Sequence, residues 1–403
     1  MKEEIFLSLT PKSPIYLGEI KPNTSFLSSR NYIPGGLLLG ALGEYFVRNK
    51  REREIKEVTS KIRFGNFFPS KGETLWSLPF PVTSLECKRE SGFKPKGHGI
   101  FDSLIASVAY NELKEIGAKF PVPLEFRCSD CVRCSDCEGR MDKASGFFIK
   151  EKNYEKVSAI KVSQTKVAIN RRRNTAEKEM LYSVTALTPK GTFIGRIWPE
   201  NGEVDLVKEA LEAVGIGGLT GRGYGRVELK ESEVKVESIE KRVKDFNETL
   251  KRIWKDLTSI SINNGLPDEP QGFYFSLDLP SHAILRDENG LPTLKLTLNS
   301  GGKRLKPVFF SSSSTFISGW STAWGLHKET YMGTSMGSVY VFKVNSEKDI
   351  LYEELKRIEV EGLGEKANEG FGEVLVCHPT VASHKNLYES YFVASWKIYS
   401  KSL

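Results

Sequence analysis

The chain has 403 residues, 39% hydrophobic and 27% charged, with 58 lysines and arginines against 51 aspartates and glutamates and a formal charge of +7. That length suits two or three domains, and the mild basicity admits an anionic partner without demanding one. No run of about 20 apolar residues occurs, and "MKEEIFLSLT" has no apolar signal core, so a cytoplasmic protein without a membrane partner is expected.

"IFLSLTP" alternates as a half-buried strand does. In "YIPGGLLLGALGEYFVRNK", Pro34 suits a first helical turn, and Leu37, Leu38, Ala41, Leu42, Tyr45 and Phe46 form one apolar face. "KIRFGNFFP" reads as a strand and "FDSLIASVAYNELKEIGA" as a second amphipathic helix capped near Asp102 or Ser103.

Then comes "CSDCVRCSDC", which sets Cys128, Cys131, Cys134 and Cys137 at successive C-x-x-C spacings. In a reducing compartment clustered thiolates are metal ligands rather than disulfides. Structural zinc is expected, with four thiolates closing the tetrahedron; an iron–sulfur cluster is the alternative. Wrapping four such close sulfurs round one ion strains the middle linker, so Cys87 or His98 could replace one of them.

"KVSAIKVSQTKVAI" and "LYSVTALTPKGTFIGRIW" read as strands. Between them, Arg171, Arg172 and Arg173 sit at the tip of an exposed basic hairpin, about residues 165–182. The helix "EVDLVKEALEAV" leads into "GIGGLTGRGYGRVEL", where Arg222 and Arg226 flank Tyr224 among six glycines. Two cations around an aromatic suit phosphate contact with base stacking. The order helix, loop, strand excludes a dinucleotide cradle, which needs strand, loop, helix.

A charged junction, "ESEVKVESIEKRVKDFNETLKR", begins the second half. "GFYFSLDL", "TLKLTL" and "SVYVFKV" read as strands and "KDILYEELKRI" as a helix. The glycine pattern then returns in "GLGEKANEGFGEVLV", 362 − 215 = 147 residues on, with Glu369 and Glu373 at the arginine positions. The expected fold is therefore α+β: two tandem ferredoxin-like units, residues 1–235 and 236–403. The first carries a cysteine-bearing insertion at about 85–145. The first glycine loop is expected to contact RNA; the acidic second loop suits packing or a protein interface.

Taken in order, "YIPGGLLLGAL", "INRRRNTAEKEMLYSV" with "GTFIG", the two glycine loops, and "FISGW" with "GSVYVF" resemble the RAMP superfamily of CRISPR systems. They look most like its type III-D cap subunit. The resemblance implies a non-catalytic subunit of an antiviral effector ribonucleoprotein. Such a subunit grips the 5′ tag of the guide RNA and joins the large polymerase-type subunit to a backbone RAMP subunit. It also implies that Arg171, Arg172 and Arg173 press on RNA, and that Gly35 and Gly36 open a helix near the RNA backbone.

The rival is a metal-independent endoribonuclease of the same superfamily that cuts guide precursors. It needs a general base beside the basic motifs. None of His98, His282, His327, His378 and His384 lies in the arginine run or the first glycine loop. A plain zinc-stabilised interaction module would leave those two motifs unexplained.

Overall fold

The computed structural model describes residues 3–18, 26–121, 123–128, 139–170, 172–200, 203–263, 265–300, 303–321 and 324–378. Among them no helix is long and apolar enough to cross a membrane.

Two antiparallel sheets organise the chain. In the first, Ile5–Pro11 lies between Val227–Glu231 and Thr192–Trp198, and the latter also pairs with Arg63–Phe64 and Phe68–Ser70. Numbered along the chain, the strand order is 4-1-3-2. Helices Gly35–Arg48 and Val204–Val214 form the two crossovers. Their buried Leu38, Leu42, Phe46, Val207 and Leu211 share a core with Leu7, Leu9, Phe64 and Ile197 from the strands. The 3.6-residue period of the helices and the two-residue period of the strands bring these side chains to one layer.

The second sheet repeats that order: Leu375–Val376, Phe273–Asp278, Val339–Val344, Phe309–Ser311. It has one crossover helix, Tyr352–Glu361. Among the described residues no helix links its first two strands, although a full ferredoxin-like unit has one there. The place is filled from outside. Helix Ile239–Ile260, in the charged junction, precedes the sheet and packs Phe246, Leu250 and Trp254 onto it. Helix Leu104–Glu115, in the insertion of the first half, joins the same core. Its Glu112 accepts from the Tyr274 hydroxyl (2.7 Å) and pairs with Lys343 (2.5 Å).

From the strand before each crossover helix onward, the halves keep the offset of the glycine loops. Thr192–Trp198 matches Val339–Val344, and the 3-10 turn Thr220–Arg222 matches Ala367–Glu369.

At the end of the first strand of the second sheet the Asp278 carboxyl is buried, accepting from Ser276 Oγ (2.7 Å) and the His378 amide (3.1 Å). Burial pushes it up to about 7. The folded chain therefore holds a proton that the unfolded chain, titrating near 4, has already lost. That contribution is present below about pH 4 and is lost as pH rises through about 7, by roughly 2–4 kcal/mol. The Asp278→Asn variant should lose less stability than the parent between pH 5 and pH 8 in urea unfolding. An identical pH dependence in both would contradict this assignment.

Candidate nucleic-acid interface and metal centre

Both glycine loops are braces. Each is pinned by the segment following the first strand of its sheet. The Gly218 amide donates to the Tyr16 carbonyl (2.9 Å), and the Glu365 amide donates to the Ile284 carbonyl (3.0 Å). Gly217 and Gly364 have φ of 84° and 80°, and a Cβ on Gly217 would lie 2.5 Å from the Tyr16 oxygen. Only glycine meets both demands. The glycines thus shape the loop, and any binding chemistry belongs to the side chains between them.

In the first loop those side chains are stitched to the basic hairpin, Lys161–Asn170 with Thr175–Leu187. Tyr224 donates its hydroxyl proton to Gln164 Oε1 (2.6 Å), and Arg222 Nη1 donates to the Tyr182 hydroxyl (2.9 Å). Lys166 Nζ lies 4.6 Å from the centre of the Tyr224 ring. Arg222 and Arg226 are exposed. At the tip, Asn170 Oδ1 accepts from the amides of Arg172 (3.0 Å) and Arg173 (3.2 Å), leaving both arginine side chains exposed. Arg171 lies outside the described residues. Lys166 and Arg222 thus stand at the junction of loop and hairpin, with Arg226 exposed further along the loop and Arg172 and Arg173 at the far end of the hairpin.

Two expectations need correction. Tyr224 is 6% exposed, with Lys166 over its ring, so it offers no open face to a base. It locks the loop to the hairpin instead. Gly35 and Gly36 meet the second glycine loop, not an open surface. The Gly35 amide donates to Asn66 Oδ1 (3.0 Å), and a Cβ there would lie 2.7 Å from the Phe64 oxygen and 3.0 Å from Gly370 Cα. A Cβ on Gly36 would touch Glu369 at 3.3 Å. Sequence order hides this contact, because its two sides come from opposite halves of the chain.

The second loop therefore closes onto the first half. Arg196 donates through Nε (2.8 Å) and Nη2 (2.6 Å) to Glu373 Oε1, with both residues buried. Burial opposes the Arg196 charge, but Glu373 and Glu4 outweigh it and hold its pKa above the usual guanidinium value. Arg63 stacks on Trp198 at 4.1 Å and donates to the carbonyls of Glu359 (3.1 Å) and Val360, capping the C-terminal end of helix Tyr352–Glu361. Burial draws it down to about 10, still charged at neutral pH. Gly362 is bare for that reason: a Cβ would lie 2.6 Å from Arg63 Nη2.

The cysteine-bearing insertion brings Cys87, His98 and Cys128 together, with ligand atoms within 4.8 Å of one another. Cys128 Sγ and His98 Nδ1 are 3.4 Å apart, close to the roughly 3.5 Å that separates sulfur and nitrogen on a tetrahedral zinc. Both thiols are buried. Cys131, Cys134 and Cys137 lie outside the described residues. The donor set fits zinc: two soft thiols and an imidazole, with one corner left for a further thiolate.

The histidines stand as follows. His282 is half-buried, accepts from the Met336 amide through Nδ1 (2.9 Å), and is drawn down to about 4 by desolvation. His378 is buried against Phe148, and His327 stands edge-on to Trp320. His384 lies outside the described residues.

Comparison with known proteins gives one family. The model of the RAMP superfamily matches residues 9–228. No curated protein matches. Several solved structures are similar. A chain of the Type III-B Cmr-beta bound to cognate target RNA is 13% identical with a TM-score of 0.42, covering 92% of this chain and 96% of that one. A chain of the Csm3-Csm4 subcomplex in the type III-A CRISPR-Cas interference complex is 14% identical with a TM-score of 0.35, covering 85% and 92%. One of the Csm1-Csm4 cassette in complex with cA4 is 12% identical with a TM-score of 0.32, covering 84% and 87%.

Proposed function

The chain belongs to the RAMP superfamily, and from that premise we propose that it is a non-catalytic, RNA-binding subunit of a type III CRISPR effector ribonucleoprotein. It grips the 5′ tag of the guide RNA and bridges the large polymerase-type subunit to a backbone RAMP subunit. The observation that carries this reading is the ribbon of cations in which Arg222 is bonded to the basic hairpin bearing Arg172 and Arg173. Arginines on a rigid ribbon suit phosphates of a single strand, which they contact without reading bases. The two sheets with one strand order and one shared sequence offset support two diverged copies of a ferredoxin-like unit, residues 1–235 and 236–403. The loop carboxylates of the second copy are taken up within the chain, Glu373 by the buried Arg196 and Glu369 by Lys328 at the surface, so that loop is not assigned an RNA contact.

The test is equilibrium binding of the full chain to a guide RNA with its repeat-derived 5′ tag, against an RNA of equal length without it. Tighter binding to the tagged RNA is expected. Equal affinity for both contradicts a tag grip, and a defined cut in a labelled repeat RNA would turn the reading to an endoribonuclease.

Zinc completes the proposal as a structural ion. Cys87, His98 and Cys128 would hold it, with a fourth thiolate from Cys131, Cys134 or Cys137, leaving no open position for catalysis. Elemental analysis of anaerobically purified protein should find about one zinc per chain. Cys87→Ser and His98→Ala should each lower that content and the thermal stability. Iron with acid-labile sulfide, or full zinc occupancy in both variants, would contradict this ligand set.

A further inference from the structure

In the second half the chain folds round an open cleft of about 940 Å3, within the range of ligand clefts, roughly 300–1,000 Å3. Residues between 285 and 297 give one wall and residues between 304 and 310 another; Leu363 and Gly364 complete the lining. The walls are shaped without a ligand. Asp287 Oδ1 accepts from the amides of Asn289 (2.9 Å) and Leu291 (2.8 Å), which closes one turn. Leu298–Ser300 pairs with Lys303–Leu305 as a short ribbon between the two walls. The Tyr340 hydroxyl donates to the Leu294 carbonyl (2.7 Å), which ties the first wall to the second sheet.

One aromatic ring and four cations line this cleft. Phe310 lies nearly parallel to the buried Tyr340, with planes 11° apart and centroids at 6.1 Å, yet is itself 41% exposed. Stacking on Tyr340 fixes the orientation of the ring before a ligand arrives, which lowers the entropic cost of binding. Arg286, Lys295, Arg304 and Lys306 stand against Asp287 and Glu288. Two of the cations are already matched: Arg286 by Glu365 (3.2 Å) and Arg304 by Glu288. Lys295 and Lys306 are exposed and form no ion pair among the described residues. The charge left over in the cleft is therefore positive, and it belongs to two lysines that share the lining with one exposed ring.

We propose that this cleft binds unpaired nucleotides of a single RNA strand, with a base on Phe310 and backbone phosphates on Lys295 and Lys306. Other occupants fit the chemistry less well. A free polyphosphate nucleotide needs donors that converge on one point, at a helix N-terminus or a nest of backbone N–H groups. Here the cations are divided between two walls. A duplex keeps its bases stacked and offers no open base face to Phe310. The core of a protein interface is depleted of lysine, whereas here the unmatched charges are lysines. A single strand brings one phosphate per nucleotide and bases with open faces, which suits cations distributed about a ring. Such a contact reads no base edges, so it needs no repeat-derived sequence and stands independently of the tag grip in the first half.

The experiment uses the full chain carrying Arg172→Ala, Arg173→Ala, Arg222→Ala and Arg226→Ala, so that the first half no longer masks the cleft. The probe is a fluorescent oligouridylate of about 15 nucleotides, titrated at several salt concentrations. Into that background go Phe310→Ala and, separately, Lys295→Gln with Lys306→Gln. Phe310→Ala should weaken binding about fivefold or more with the salt slope intact. The lysine pair should flatten the slope of log affinity against log salt by up to about 1.4. Both lysines are exposed, so their variant should keep the thermal melt of its background and decides the matter if Phe310→Ala melts early. Unchanged affinity and slope in the lysine variant overturn the proposal, as does a background that binds no oligouridylate. Equal competition by uridine monophosphate, or by an RNA duplex of the same length, would assign the cleft to a free nucleotide or to a duplex backbone and overturn it too. The two functions fail separately. A parent without preference for tagged guide RNA, beside cleft variants that lose oligouridylate, fails the tag grip alone; a parent that prefers tagged RNA, beside indifferent cleft variants, fails the cleft alone.

Discussion

Glu373→Ala should destabilise the folded chain by about 3–5 kcal/mol, because it strands the Arg196 guanidinium inside the joint between the halves. Glu4 remains at 2.8 Å from Arg196 Nη1, but it is part-exposed and meets a different nitrogen. The loss should change little with salt, since both partners of the broken pair are excluded from water. Replacing both at once, Arg196→Met with Glu373→Leu, should cost less than either single change, because neither member of the pair is then left buried without the other. Urea unfolding of the four proteins checks this. A cost under about 1 kcal/mol for Glu373→Ala would mean that the joint is hydrated and that the second loop does not seal it.

The second large effect is electrostatic. Each arginine that meets a phosphate releases counterions, so its loss should flatten the dependence of log affinity on log salt by about 0.7 on a single strand. Changing Arg172, Arg173, Arg222 and Arg226 together to alanine should therefore remove up to about four such increments and weaken guide binding most at low salt. Tyr224 behaves differently. Tyr224→Phe removes the bond to Gln164 and keeps the ring, so affinity should fall modestly with the slope intact. Tyr224→Ala should loosen the loop from the hairpin and act in the direction of the arginine changes. Glu369→Ala should leave RNA affinity unchanged. Salt titrations of binding to tagged guide RNA read all of these. Arginine variants with the parent slope would move the grip elsewhere on the chain.

Much of this was legible in the sequence because it was local or periodic. The glycine spacing returned at one fixed offset, and that offset runs through strand, helix and loop. Alternation and helical periodicity placed most elements of both sheets, but "TLKLTL", which reads as a strand, contributes only its last residue to Leu298–Ser300 in a separate two-stranded ribbon, and the second sheet takes Phe309–Ser311 instead. Burial and long-range contacts were not legible. Tyr224, between two exposed arginines, reads as exposed, yet the hairpin covers it. Gly35 and Gly36 read as an opening for a ligand because nothing local announces that Glu369 and Gly370 fill it. Glu373 reads as a repulsive surface charge, and only the fold brings Arg196 to it. Cys87 and His98 stood as spare candidates beside a dense cysteine run, and the antiparallel pairing of Ser84–Cys87 with Ile100–Asp102 helps bring them to Cys128. The cleft at Phe310 left no mark in the sequence, since its walls come from separate segments and exposure cannot be read from composition.

The most direct measurement is purification of the native protein under gentle conditions, with its RNA sequenced and its partners identified by mass. Guide RNAs that share one repeat-derived 5′ end are expected with it, together with a large polymerase-type subunit and a backbone RAMP subunit. Protein that arrives free of RNA, or bound to uncut guide precursors alone, would contradict the proposed function.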